Sequence, residues 1–161
     1  APRRRRTRQR RSFLTTALAA LATPAFAGKA GVTYEVTRSE EEWRAMLTEL
    51  EYAVMREEAT ERPYTSPLND ETRAGTFLCK GCDQPLYASE TKYDSGTGWP
   101  SFYDNMPGAI GTKADRKLLS VRTECHCSRC GSHLGHIFDD GPAPTGKRHC
   151  INGVSLTFAP A

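Results

Sequence analysis

A length of 161 residues suits one domain of ordinary size. The formal net charge of +3 is uneven: seven of the 22 basic residues are arginines within the first eleven positions, so residues 28–161 carry 15 basic against 19 acidic side chains, a net of −4. The folded part is therefore mildly acidic, which argues against a nucleic-acid-binding function.

Taken in order, residues 1–27 have the layout of an export segment rather than of a folded element. Arg3 to Arg11 supply the basic start, Phe13 to Ala22 an apolar stretch, and Pro24-Ala25-Phe26-Ala27 a small-residue cleavage site after a helix breaker. The apolar stretch is too short for a permanent bilayer span, so no stable membrane association is expected. Arg10-Arg11-Ser12-Phe13-Leu14 resembles the twin-arginine export motif. That route carries folded proteins, so a metal site and reduced thiols can be assembled before export to the bacterial periplasm. The expected organisation is an export segment at 1–27, a linker at 28–36 and one domain at 37–161.

Ser39 and Glu42 form a capping box at the start of that domain. Trp43, Met46, Leu47 and Leu50 follow at helical spacing, which predicts a helix near 40–50 with this stripe packed on the core. A second short helix is predicted over Glu51–Glu58, ending before Arg62-Pro63. From Leu68 onward, short β-prone runs such as Gly75–Leu78, Pro85–Tyr87, Leu118–Thr123 and Ile151–Phe158 are separated by Gly- and Pro-rich turns. No strand–helix alternation is present, which excludes a doubly wound fold. The expected class is mainly β: small antiparallel sheets behind short N-terminal helices.

Cys79-Lys80-Gly81-Cys82 and Cys127-Ser128-Arg129-Cys130 are paired C-x-x-C knuckles, with Gly81 and Gly131 read as supporting the tight turns. Two knuckles complete a tetrahedral four-thiolate zinc site, one structural ion per chain. A redox C-x-x-C pair would need a βαβ context that is missing; two disulfides are the other rival. Cys125 stands outside the set, either as a resolving cysteine that attacks an oxidised partner thiol or as an inert strand residue.

The last chemistry-bearing stretch runs from His133-Leu134-Gly135-His136 to Arg148-His149-Cys150-Ile151-Asn152. Read as one strand from Arg148 to Phe158, it puts Cys150, Asn152, Val154, Leu156 and Phe158 on one face, with Arg148 of the same parity and His149 of the opposite one. Cys150 is the strong nucleophile of this group, and neighbouring cations favour its thiolate. The loop Ser95-Gly96-Thr97-Gly98-Trp99-Pro100 adds an apolar wall.

Together these segments resemble the methionine-R-sulfoxide reductase B family. The resemblance runs from about Thr37 to Phe158 and includes Thr60-Glu61-Arg62-Pro63, both C-x-x-C pairs, Lys92 to Phe102, Gly131 to Gly141 and Arg148 to Leu156. It implies antiparallel sheets arranged as a small barrel, with zinc opposite the active site. It implies that Cys150 attacks the sulfoxide sulfur, that His133 and His136 supply or relay a proton, and that Asn152 hydrogen-bonds in that network. Trp99 would pack on the substrate methyl group, and Arg148 would help to lower the thiol pKa. The substrate would be the R epimer of methionine sulfoxide, free or in an oxidised protein, and the chain is expected to act as a monomer. Many members carry a recycling cysteine where this chain has Thr97, so regeneration would fall to Cys125, to an external thiol or to a thioredoxin-like reductant. A zinc-stabilised binding module and a redox sensor are the alternatives.

Overall fold

The computed structural model of the protein describes residues 32–118 and 120–161. The export segment read at 1–27 and the first part of the linker lie outside the described residues. Val36 of that linker donates its N–H to Arg129 O at 3.0 Å, and Glu35 pairs with the Arg129 guanidinium, so residues 33–36 run against the second knuckle.

Two capping boxes follow in succession. Ser39 and Glu42 start α1 (Glu40–Met46); Thr48 and Glu51 repeat the arrangement and start α2 (Glu49–Glu57). One helix over 40–50 is therefore not what forms. Thr48 is extended, as an N-cap must be, and it breaks the helix just where the apolar stripe was expected to continue. Trp43 and Leu47 are buried as expected, whereas Met46 and Leu50 are 43% and 50% exposed. No helix among the described residues is long and apolar enough to cross a membrane.

The rest is sheet: β1 (Gly75–Cys79), β2 (Pro85–Ala88), β3 (Lys92–Tyr93), β4 (Ser101–Phe102), β5 (Ile110–Asp115), β6 (Arg122–Cys127), β7 (His133–Phe138), β8 (Arg148–Ile151) and β9 (Leu156–Pro160). They make a three-stranded sheet, β2-β1-β9, and a six-stranded sheet, β3-β4-β8-β7-β6-β5, both antiparallel. The mainly β expectation holds. Aromatic rings join the two sheets: Phe102 of β4 stacks on Tyr87 at 4.3 Å and meets Phe77 edge-on at 5.0 Å. Burying one such ring is worth about 1.5–3 kcal/mol, against about 1 kcal/mol for a helix cap, so this layer outweighs the caps in holding the fold.

Arg148 to Phe158 is not one strand. β8 stops at Ile151, Gly153–Ser155 turn as a 3-10 helix, and β9 crosses into the other sheet. The buried Glu61 carboxylate causes the break by accepting the backbone N–H groups of Gly153 and Val154. A Cβ at Gly153 would stand 1.9 Å from Ser66 Oγ, so only glycine admits this close approach. Val154, Leu156 and Phe158 consequently do not anchor the face that carries Cys150.

Candidate active site

Cross-strand pairing builds the site, because residues directly opposite one another share a face of the sheet. One row crosses all six strands: Tyr93, Ser101, Cys150, His136, Glu124 and Lys113. Arg148 opposite Phe138 and Asp115 opposite Arg122 extend the same face. The alternate positions, including His149, Ile151, Ile137 and Cys125, face the core.

Over this face lies a pocket of ≈ 300 Å³, walled by Thr60, Thr97, Trp99, Arg122, Gly135, His136, Phe138, Arg148, Cys150 and Asn152. Cys150 is half-buried, and Thr97 Oγ1 lies 3.9 Å from its sulfur. Burial pushes the Cys150 thiol above its ordinary value, while the Thr97 hydroxyl and the Arg148 guanidinium pull it down. Arg148 is itself fixed by two hydrogen bonds of 2.9 Å to Asp140 and lies over the Phe138 ring at 4.4 Å.

Glu61 organises the opposite wall. Its N–H donates to Asn152 Oδ1 at 3.0 Å and its carbonyl accepts from Trp99 Nε1 at 3.1 Å. Asn152 Nδ2 donates to Leu134 O at 3.0 Å, so the amide is anchored on both sides at the point where β8 ends. Burial raises the Glu61 carboxyl, against the two backbone N–H groups that it accepts.

The two histidines are held differently. His136 Nε2 meets Asp115 Oδ2 at 2.8 Å, and burial holds its imidazole below the usual value despite that carboxylate. His133 is buried behind it, ring edge-on at 5.5 Å, with Nδ1 2.6 Å from Glu124 Oε1. A register shift between Cys125 and His126 pairs His133 with His126 and turns it toward Glu124.

At the far end of the β6–β7 hairpin, Cys79, Cys82, Cys127 and Cys130 place their sulfurs within 4.8 Å of one another. Cys79–Cys130 and Cys82–Cys127 are each 3.6 Å apart. A tetrahedral ion with metal–sulfur bonds of ~2.3 Å needs sulfur–sulfur edges of ~3.8 Å, so the four thiols fit a metal. The knuckles close alike: Asp83 and Gly131, each the residue after the second cysteine, are left-handed (φ 57 and 70) and donate N–H to Cys79 O and Cys127 O. Gly81 lies within its turn as expected, but the left-handed position is taken by Asp83. The role of Gly81 is close approach, since a Cβ there would stand 2.9 Å from Ser132 Oγ.

A family model described as the SelR domain matches residues 47–160. The chain belongs to the SelR-domain family. Peptide methionine sulfoxide reductase MsrB of Methanosarcina barkeri is 52% identical over 124 residues, which cover 76% of this chain and 87% of that protein. The protein of the same name from Agrobacterium fabrum is 48% identical over 127 residues (78% and 94%), and that from Leifsonia xyli subsp. xyli is 50% identical over 129 residues (79% and 93%).

The SelR domain thus brings Cys150, His136, Asn152, Trp99 and Arg148 into one pocket and sets His133 just behind it. Cys125 is not brought there. It is fully buried on the core face, and burial with the nearby Glu124 charge pushes its thiol far up. Thr60, Arg122 and Phe138 in the wall, and Glu61, Asp115 and Glu124 behind it, were not singled out as site residues from the sequence. Arg122-Thr123-Glu124 carried a signal all the same: two charged residues of one parity at the end of a β-prone run need partners where that face is buried.

Proposed function

We propose that this SelR domain reduces the R epimer of methionine sulfoxide, free or in an oxidised protein, to methionine. The observation that carries the reading is the pocket itself: one half-buried thiol, an indole wall, an imidazole and two guanidiniums converge there. The sulfoxide methyl group packs on Trp99 and the Cys150 sulfur attacks the sulfoxide sulfur. The thiol proton passes through His136 to the sulfoxide oxygen. The sulfur–oxygen bond of the substrate breaks and the OH passes to Cys150, so thiol plus sulfoxide becomes sulfenic acid plus thioether. Arg148 favours the thiolate, Asn152 anchors the strand end beside the reacting sulfur, and His133 supports His136 from behind.

Recycling runs through an external thiol or a thioredoxin-like donor. A donor thiol attacks the sulfenic sulfur and expels water; a second donor thiol resolves the mixed disulfide and returns Cys150. Thr97 in the pocket wall and Cys125 on the opposite face support this route, because among the described residues no second thiol lines the pocket.

The donor set of four thiolates is the one zinc prefers in structural sites. Zinc bound by Cys79, Cys82, Cys127 and Cys130 would cross-link β1 of the small sheet to the β6–β7 turn of the large one. Metal analysis should return one equivalent per chain. Arg10-Arg11-Ser12-Phe13-Leu14 supports export by the twin-arginine route, which a fusion of residues 1–36 to a folded reporter would test: reporter activity confined to the cytoplasm would reject it.

The decisive assay offers separated R and S epimers of dabsylated methionine sulfoxide with dithiothreitol, to the wild type and to Cys150→Ser. R-only turnover, abolished in Cys150→Ser, is the expected result; no turnover of either epimer by reduced, metal-loaded protein would reject the reductase reading.

A further inference from the structure

One carboxylate oxygen behind the pocket is shared by two of its wall residues. Asp115 Oδ2 accepts from His136 Nε2 at 2.8 Å and from Arg122 Nη2 at 2.7 Å, while Oδ1 accepts the Lys117 N–H at 3.0 Å. Asp115 closes β5 directly opposite Arg122, which opens β6. Arg122 and His136 stand in the pocket wall, and the carboxylate, only 8% exposed, does not. Asp115 therefore acts on substrate only through the two groups it holds.

This contact decides which nitrogen of His136 does chemistry. To bond the carboxylate, Nε2 must carry the proton, which leaves Nδ1 as the nitrogen free to accept one. The charged and titratable groups facing this ring are Asp115 from β5, Arg122 and Glu124 from β6, His133 on β7, and Cys150 and Arg148 from β8. Burial, then Arg122 and His133, favour the neutral ring; Asp115 opposes them. The Lys117 amide, His136 and Arg122 together hold the Asp115 carboxyl well below the carboxylate range, so it orients the imidazole without taking its proton.

Arg122 also differs from the other guanidinium of the pocket. Arg148 commits Nε and Nη2 to Asp140 and stacks on Phe138. Among the described residues Arg122 has one acceptor, Asp115, and its Nε is buried without a partner. It is the less committed cation of the wall.

We propose that Asp115 is a positioning residue that fixes the Nε2–H tautomer of His136, and that Arg122, held by the same oxygen, binds the sulfoxide oxygen of the substrate. The inference rests on the reductase reading of this pocket. It adds no co-reactant: Arg122 donates a hydrogen bond and keeps its protons, while the thiol proton of Cys150 reaches the oxygen through His136 Nδ1.

The test combines ¹⁵N-histidine spectra of the metal-loaded full chain with steady-state kinetics on the R sulfoxide. In the wild type His136 should show the Nε2–H pattern at neutral pH. Asp115→Asn should mix the tautomers and lower kcat on the order of 10²-fold with little change in KM. Arg122→Met should raise KM about tenfold or more, and Arg122→Lys should recover part of that loss. A single Nε2–H tautomer and wild-type kcat in Asp115→Asn would overturn the positioning role; an unchanged KM in Arg122→Met would overturn the binding role. Should Asp115→Asn lose its metal or its fold, Asp115→Glu, which keeps the charge and displaces the oxygen, takes its place: mixed tautomers with a lowered kcat support the positioning role, and a single Nε2–H tautomer with wild-type kcat overturns it. If the wild type turns over neither epimer, the reductase reading fails, and the spectra still decide whether Asp115 sets the tautomer.

Discussion

Cys150 and Cys125 belong to the same six-stranded sheet, separated by the single strand β7, and they face opposite ways. Cys150 looks into an open pocket with Arg148 and Thr97 beside it; Cys125 looks into the core, fully buried near Tyr87. His136 and His149 repeat the contrast. The first meets a carboxylate and the pocket, the second a buried phenol, Tyr87 Oη, at 3.3 Å from its Nδ1. Residue type does not separate the pocket-facing side chains from the core-facing ones here. The period of two along each strand does, because it decides which side chains meet cations and solvent and which meet aromatic rings.

The largest expected effect tests this contrast head-on. Cys150→Ser should lower reduction of the R sulfoxide on the order of 10³-fold or more, since a serine hydroxyl at neutral pH does not replace a thiolate nucleophile. Cys125→Ser should keep turnover within about twofold, with dithiothreitol and with thioredoxin alike, and lose about 1–3 kcal/mol of stability if its buried hydroxyl finds no partner. A loss seen in Cys125→Ser with thioredoxin alone would break the comparison, because it would mean that a core-facing thiol reaches the pocket during turnover.

Second in size is the four-thiol end, where a bound metal would tie β1 to the β6–β7 turn. Cys127→Ser should release the bound metal and lower the melting temperature by about 10 °C or more. Activity measured well below the new melting point should survive in part, as His136 and Cys150 line up with Glu124, three residues or about 10 Å along β6 from Cys127. Equal loss of activity and metal at low temperature would show that the two ends are not separable.

Legibility in the sequence followed the same divide. Motifs with fixed local spacing were readable: the two knuckles, the Ser39 capping box, and the Cys150–Asn152 pair. The mainly β class was readable from turn spacing. What could not be read came from contacts distant in sequence. Glu61 breaks the strand after Ile151 from about 90 residues upstream. Asp115 and Glu124 hold the histidines from β5 and β6, and only the pairing register reveals that they share a face. The second capping box at Thr48 was local and legible, but the continuing apolar spacing through Met46 and Leu50 masked it.

A smaller effect concerns the thiolate itself. Because burial raises the Cys150 pKa, the attacking thiolate is the minor species at neutral pH, and kcat/KM should climb as pH rises through 8 and beyond. Arg148 opposes that rise, so Arg148→Met should displace the alkaline limb upward and reduce kcat/KM several-fold near pH 7.5, with the gap closing at high pH. The equivalent titration with iodoacetamide would give the thiol pKa without turnover. A limb that does not move would assign Arg148 to packing on Phe138 rather than to the thiolate.

The smallest expected effect lies on the core face, one residue from the nucleophile. Burial holds the His149 imidazole below its ordinary pKa, so the folded protein keeps it neutral. The unfolded chain binds its proton more readily, and the sign follows: this part of the stability is present above the unfolded value of about 6.5 and is lost as pH falls through the folded value. His149→Gln should therefore flatten the acid-side decline of stability measured by urea unfolding between pH 7 and 5. It should cost about 0.5–1.5 kcal/mol at neutral pH through the bond to Tyr87. Turnover of the R sulfoxide should stay within about twofold, because the ring faces away from the pocket. A turnover loss in His149→Gln as large as that in His136→Gln would mean that the two faces share one proton network through the sheet, and the opposition between Cys150 and Cys125 would no longer explain why only one of them reacts.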